Sequence, residues 1–130
     1  MIFVFGSNTA GIHGAGAAHV ARRSHGAELG YGYGHIGNSF AIPTKDSKLN
    51  SLQLTDISTF VEGFLAYARH RQDLEFQVTR IGCGLAGFND NEIAPFFTHA
   101  PDNCYFDTAW KSALNWANQD HIYNFWGTFE

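Results

Sequence analysis

Ile2-Phe3-Val4-Phe5-Gly6-Ser7-Asn8-Thr9-Ala10-Gly11-Ile12-His13-Gly14-Ala15-Gly16-Ala17-Ala18 is the stretch from which the fold of this chain is read. Four apolar residues make a short buried strand, a glycine-rich loop follows, and small residues suited to a helix come next. The pattern recurs once, in Phe76-Gln77-Val78-Thr79-Arg80-Ile81-Gly82-Cys83-Gly84-Leu85-Ala86-Gly87-Phe88. Glycine costs conformational entropy, so it is placed where the backbone turns sharply or where something must come close. Nine of the 14 glycines fall between Gly6 and Gly37 and three between Gly82 and Gly87. Such concentration marks a site rather than general flexibility. In open α/β sheets, ligands bind in loops at the carboxyl ends of strands.

Outward from these two loops, the remaining elements follow from periodicity. Residues 14–25 predict a helix with Ala17, Ala18, Val20 and Ala21 on its apolar face and Arg22, Arg23 and His25 near its C-terminus, where cations suit the dipole. Gly26 is its expected stop. Residues 28–38 read as a Gly/aromatic loop, and residues 39–42 as a strand ended by Pro43. Thr55 or Asp56 is the expected cap of a long helix reaching about residue 71, with Ile57, Phe60, Val61, Phe64, Leu65 and Ala68 recurring at three and four. Residues 75–80 form the next strand. Asn89 or Asn91 caps a helix near 91–98, which contains Pro95. Residues 104–106 are a fourth strand, and the aromatic tail packs a helix and an edge segment onto the body. The order β-α-β-α-β-α-β predicts one α/β domain over residues 1–130, with a mostly parallel sheet and helices on both faces.

Composition narrows the function classes. The chain has 130 residues, 45% hydrophobic and 15% aromatic, enough for one real core. It contains no apolar run long enough for a membrane span, and its N-terminus lacks a basic region and a signal-type apolar stretch, so a cytoplasmic location is expected. A net charge of −4 argues against binding a nucleic-acid backbone, which needs clustered Lys and Arg. One small anionic ligand held by backbone N–H groups remains compatible with that charge. Cys83 and Cys104 are expected to be free thiols. The seven histidines are scattered and no metal-binding spacing occurs, so neither a metal nor a cofactor is expected.

The loops suggest the ligand. A helix N-terminus presents free N–H groups and partial positive charge. Gly14, Ala15 and Gly16 open such a helix, so the first loop can cradle phosphate, and the second can supply matching amides from the other side. The first loop is not a Walker A loop, since no Gly-Lys-Ser/Thr follows, and its glycine spacing is not that of the dinucleotide fold. Tight strand–helix packing is the competing reading of the same glycines.

Three blocks carry a family resemblance. Asn8-x-x-Gly11-x-x-Gly14-x-Gly16-x-Ala18 resembles the first binding loop of macro domains. Arg80-Ile81-Gly82-Cys83-Gly84-Leu85 is similar to the second loop of the subgroup of terminal ADP-ribose protein glycohydrolases and ADP-ribose-1″-phosphate phosphatases. Ala41-Ile42-Pro43-Thr44-Lys45 resembles the strand and turn that bear that subgroup's proposed catalytic lysine. The resemblance covers residues 1–18, 40–46 and 75–97, and leaves 99–130 unassigned. It implies ADP-ribose, or something carrying it, as ligand. Gly6, Ser7 and Asn8 would lead into the site, with Asn8 on the distal ribose. The amides of His13, Gly14, Ala15 and Gly16 would line that ribose and one phosphate. Ile81, Gly82, Cys83, Gly84, Leu85, Ala86 and Gly87 would wrap the diphosphate, with Phe88 near the ribose. Tyr31, Tyr33 and Phe40 are candidates for stacking on adenine.

The chain also departs from the subgroup. An aspartate follows Gly-Cys-Gly-Leu there, and Ala86 stands in its place here. Asp90 is the nearest substitute, although helix capping accounts for it as well. Lys45 matches the family lysine and would act as nucleophile if its pKa fell; otherwise it pairs loosely with Asp46. His13 sits at the loop mouth as a general acid or base, or simply closes over the ligand. Cys83, flanked by glycines, reads as a small buried loop residue. Three functions therefore compete. The first is a module that binds an ADP-ribose-type nucleotide, as reader or sequestering protein. The second is a hydrolase using Lys45, His13 and Asp90. The third is a non-enzymatic domain that oligomerises or binds a partner through exposed Trp116, Tyr123 and Trp126.

Overall fold

The computed structural model describes residues 1–129. Six strands form one sheet: β1 (Ile2–Asn8), β2 (Gly34–Ile36), β3 (Ser39–Lys45), β4 (Phe76–Val78), β5 (Cys104–Asp107) and β6 (Asn124–Gly127), in the order β2-β3-β1-β4-β5-β6. Every pairing is parallel except β2 with β3. Four helices complete the domain: α1 (Gly16–Ser24), α2 (Leu54–His70), α3 (Asp90–Ile93) and α4 (Lys111–Ala117).

The central strand β1 is apolar on both sides because both of its faces are covered. Phe3 and Phe5 pack with Ala18, Ala21, Ala27 and Ala41, so α1 covers one face with small side chains. On the other face Ile2 and Val4 join Ile42, Phe76, Val78 and Phe106 beneath α2, α3 and α4. Ile57, Val61, Phe64, Leu65 and Ala68 are the buried stripe of α2, at the expected spacing of three and four.

Several expected boundaries shift, each for a local reason. The Gly/aromatic loop contains β2, whose three residues pair back on β3 as a short hairpin. β3 continues through Pro43 to Lys45; its β2 partner ends opposite Ala41, and a residue without an N–H is accepted on a strand with a free edge. In α1 the helix starts at Gly16, and Val20 faces solvent while Ala18 and Ala21 are buried. Gln53, not Thr55 or Asp56, precedes α2, and Asp56 lies in its first turn, where its charge suits the dipole. Asn89 caps α3 in a reciprocal pair with Glu92. Pro95 then tightens the chain into a 3-10 turn over Ala94–Phe97. The tail supplies α4 and the edge strand β6, and Trp110 is fully buried.

This order places a switch point at the centre. From β1 the chain passes through α1 to β3 on one side, and from β4 it passes through α3 to β5 on the other. The loops leaving β1 and β4 therefore diverge and leave a crevice at the carboxyl ends of adjacent strands, where open α/β sheets take ligands.

Candidate binding cleft

A cleft of about 400 Å³ occupies this crevice. The first loop, the second loop and the end of β3 with its following turn make its three walls.

The first loop is braced from within and from behind. The Asn8 amide donates to the Ile12 carbonyl at 2.7 Å and accepts from the Ile12 N–H at 3.0 Å, closing residues 8–12 into a small ring. Asn8 thus shapes the loop, and its side chain keeps one N–H and part of its oxygen for other partners. Behind the loop, the segment around Gly30–Gly32 crosses it at backbone contact, and the Ser7 hydroxyl donates to the Gly32 carbonyl. A Cβ at Gly32 would lie 2.2 Å from the Asn8 carbonyl oxygen, and one at Gly11, where φ is +70°, 2.4 Å from the backbone of Tyr31. These two glycines are required by the crossing itself.

Where the loop meets α1, Ala15 occupies the N-cap without any side-chain cap, and no acidic residue lies in the first turn. The N–H groups there are left for solvent or a ligand. In the second loop the amides of Cys83, Gly87 and Phe88 close turns onto Arg80, Gly84 and Gly82. Among the described residues, the amides of Gly84, Leu85 and Ala86, which line the cleft, donate to no backbone carbonyl. Gly14 and Gly84 also line it, and a Cβ at either would meet nothing within 4 Å. Neither has the left-handed φ that would call for glycine.

The third wall begins with Thr44 and Lys45. Lys45 is half-buried, and no ion pair joins it to Asp46 among the described residues. The Asp46 carboxylate instead accepts the amides of Lys48 and Asn50, at 2.9 and 3.0 Å, and organises the turn. Ser51 then donates to the Ala86 carbonyl at 2.6 Å and ties this turn to the second loop. Sequence reasoning missed Leu49 and Ser51. The run Asp46-Ser47-Lys48-Leu49-Asn50, a turn signal directly after Lys45, was the available clue.

Other candidate residues stand apart from the lining. His13 is 4% exposed and packs edge-on against Phe5, with neither ring nitrogen hydrogen-bonded. Burial and the Arg22 charge hold its pKa below the usual histidine value. Asp90 accepts two hydrogen bonds from the Arg80 guanidinium, at 2.9 and 2.8 Å, and one from the indole N–H of Trp110 at 2.8 Å. Burial opposes its ionisation, but the Arg80 and Trp110 hydrogen bonds outweigh it and keep its pKa below the usual carboxylate value. Burial and the neighbouring Asp90 carboxylate push the Cys83 thiol up to about 12, so it is a poor nucleophile. Phe88 packs against the main core, and Gly87 turns the loop at φ +84°. Phe40 is core, Tyr33 packs against Phe40 and Phe60, and Tyr31 is exposed; none of the three lines the cleft. In the tail, Tyr123 is buried with its hydroxyl on the Thr98 carbonyl, and the Trp126 indole donates to Val78. Of the expected aromatic patch only Trp116 is exposed.

The titratable side chains that line the cleft are therefore Lys45 and Arg80, both cations. Cys83 and Cys104 are free thiols. Among the described residues no three His, Cys, Asp or Glu side chains converge, and no helix is long and apolar enough to cross a membrane.

No protein-family model matches this chain, and no curated protein matches it in sequence. Among solved structures, Thermosipho africanus DarTG in complex with ADP-ribose is similar, with a TM-score of 0.57 and 15% identity over 82% of this chain. The match spans 38% of that chain, so this protein corresponds to well under half of its length. At that identity the likeness is one of fold: a single α/β domain with a six-stranded, mostly parallel sheet.

Proposed function

We propose that this protein is a macro-like domain whose cleft binds ADP-ribose, or a nucleotide that carries it, and holds it without efficient cleavage. One observation carries the binding reading. Gly14 and Gly84 line the cleft from two different loops, and nothing in the chain itself requires glycine at either. Space kept clear beside unpaired amides is what a phosphate group needs, and each charge-assisted N–H bond to it is worth about 1.5–3 kcal/mol. Lys45 adds a cation to the same wall. The ADP-ribose bound to the similarly folded DarTG agrees with this ligand class. The net charge of −4 favours a small nucleotide over a nucleic-acid polymer.

Holding rather than cleaving follows from the lining. A general acid or base must come within hydrogen-bond reach of the reacting group. No carboxylate, imidazole or thiol lines this cleft among the described residues; Ala86 replaces the subgroup's aspartate, and Asp90 is engaged by Arg80 and Trp110. The hydrolase reading keeps one support, the presence of Lys45 in the cleft wall. Calorimetric titration with ADP-ribose, beside AMP and NAD, tests the binding reading: preference for ADP-ribose is expected, and equal or absent binding of all three contradicts it. Incubation with an ADP-ribosylated protein and with ADP-ribose-1″-phosphate tests the rest. Turnover that is lost in Lys45→Ala would replace the binding-only reading with the hydrolase.

A further inference from the structure

Leu49 is the one non-glycine residue with a left-handed backbone among the described residues, at φ +65°. A branched side chain there costs energy that glycine or asparagine would avoid. The residue is 53% exposed and belongs to neither core cluster, so no core contact repays that cost, and it lines the cleft. The turn's own hydrogen bonds hold this conformation, and one bond fixes the turn to the second loop. Asp46 accepts the amides of Lys48 and Asn50, the Leu49 amide donates to the Asp46 carbonyl, and Ser51 ties the turn to Ala86. Strain held in place by its surroundings is characteristic of binding sites, where the side chain serves a purpose outside the fold.

Two more exposed aliphatic side chains line the same cleft, Ile12 from the first loop and Leu85 from the second, at 49% and 69% exposure. Leu85 lies over the start of α1, with its Cδ1 3.7 Å from where a Cβ of Gly16 would be. Three separate loops thus each bring an unburied aliphatic group to one opening. Exposed apolar groups gathered in this way mark a contact surface, whereas scattered single ones do not.

We infer that Leu49, with Ile12 and Leu85, forms an aliphatic collar that closes on an uncharged carbon face of the bound ligand. Leu49 is its specificity-determining member. Resting on the nucleotide reading above, this assigns the backbone amides to the diphosphate and the collar to the sugar beyond it. The preferred ligand then carries an uncharged sugar next to its diphosphate, and a ligand ending in a bare phosphate leaves the collar empty. Desolvating the sugar's C–H surface against these side chains supplies the discrimination.

The test is titration of the full chain and of Leu49→Gly with ADP-ribose and with ADP, each protein also being melted. Leu49→Gly should bind ADP-ribose about fivefold more weakly, the size expected for losing a partly buried aliphatic side chain. Its affinity for ADP should stay within about twofold, and its melting temperature should equal or exceed that of the parent because the strain is relieved. Weaker binding without loss of stability is a combination that a merely structural leucine would not produce. Leu49→Asn, which accepts the same backbone but is polar, should match the glycine variant. If the parent prefers ADP-ribose to ADP and both variants keep that preference, the collar is wrong and the nucleotide reading survives. If the parent binds neither nucleotide, both fall together.

Discussion

Gly11 and Gly32 stand away from the cleft, Gly14 and Gly84 line it, and the two pairs are glycine for opposite reasons. At the first pair the chain meets itself, and a methyl group would collide with backbone 2.2–2.4 Å away. At the second pair a methyl group would meet nothing within 4 Å. One pair is demanded by the fold. The other is left open by it, which is why the second pair points to a ligand and the first does not. Composition cannot make this distinction, since all four fall in glycine-rich stretches.

Substitution separates the pairs. Gly32→Ala should be the most damaging, costing on the order of 4 kcal/mol, because the clash is with backbone that the Ser7–Gly32 contact holds in place. Thermal melting should show a fall of more than about 10 °C. Gly14→Val and Gly84→Val should do the reverse. Each should melt within about 2 °C of the parent yet bind ADP-ribose at least about 100-fold more weakly, a loss of roughly 2.7 kcal/mol. A Gly14→Val protein that binds normally would erase the difference between the pairs.

Smaller effects sharpen the account of the second loop and of the residue between Gly11 and Gly14. Trp110→Phe removes the N–H from Asp90 and leaves a cavity where the fully buried indole was, and should cost about 2 kcal/mol, seen as a drop of several degrees in melting temperature. ADP-ribose affinity should change little, because Asp90 anchors the loop from outside the cleft. His13 gives the smallest effect. Its pKa is lowered in the folded protein, so the neutral form is favoured there and protonation opposes folding. Its share of stability is complete above the ordinary histidine value near 6.5 and is lost as pH falls below it. His25, stacked on Phe3, is shifted the same way. Melting measured between about pH 7.5 and pH 5 should therefore fall, and His13→Phe should flatten part of that slope.

The parts of this molecule legible in the sequence are those where local pattern and burial agree. The apolar run of β1, the stripe of α2 and the first strand–loop–helix unit appear close to where the pattern puts them, whereas the strand expected over 75–80 is only Phe76–Val78 and the helix expected near 91–98 is the short α3 followed by a 3-10 turn. The parts that were not legible depend on contacts between distant segments. β2 lies hidden in a Gly/aromatic loop because only pairing with β3 makes it a strand. Trp126 and Tyr123 read as a surface patch until β6 docks and hands their polar atoms to Val78 and Thr98. Asp90 read as a substitute acid or a helix cap because Arg80 and Trp110, which engage it, lie 10 and 20 residues away. The two glycine loops were found from sequence, but which of their glycines serve the fold became readable only once Gly32 was seen crossing behind Gly11.

The most direct measurement is calorimetric titration of ADP-ribose into the parent protein and into Gly84→Val, both first shown by circular dichroism to be folded. The account predicts saturable one-site binding to the parent and no detectable heat with the variant. Equal binding by the two folded proteins would contradict it and move the ligand away from the space between the glycine loops.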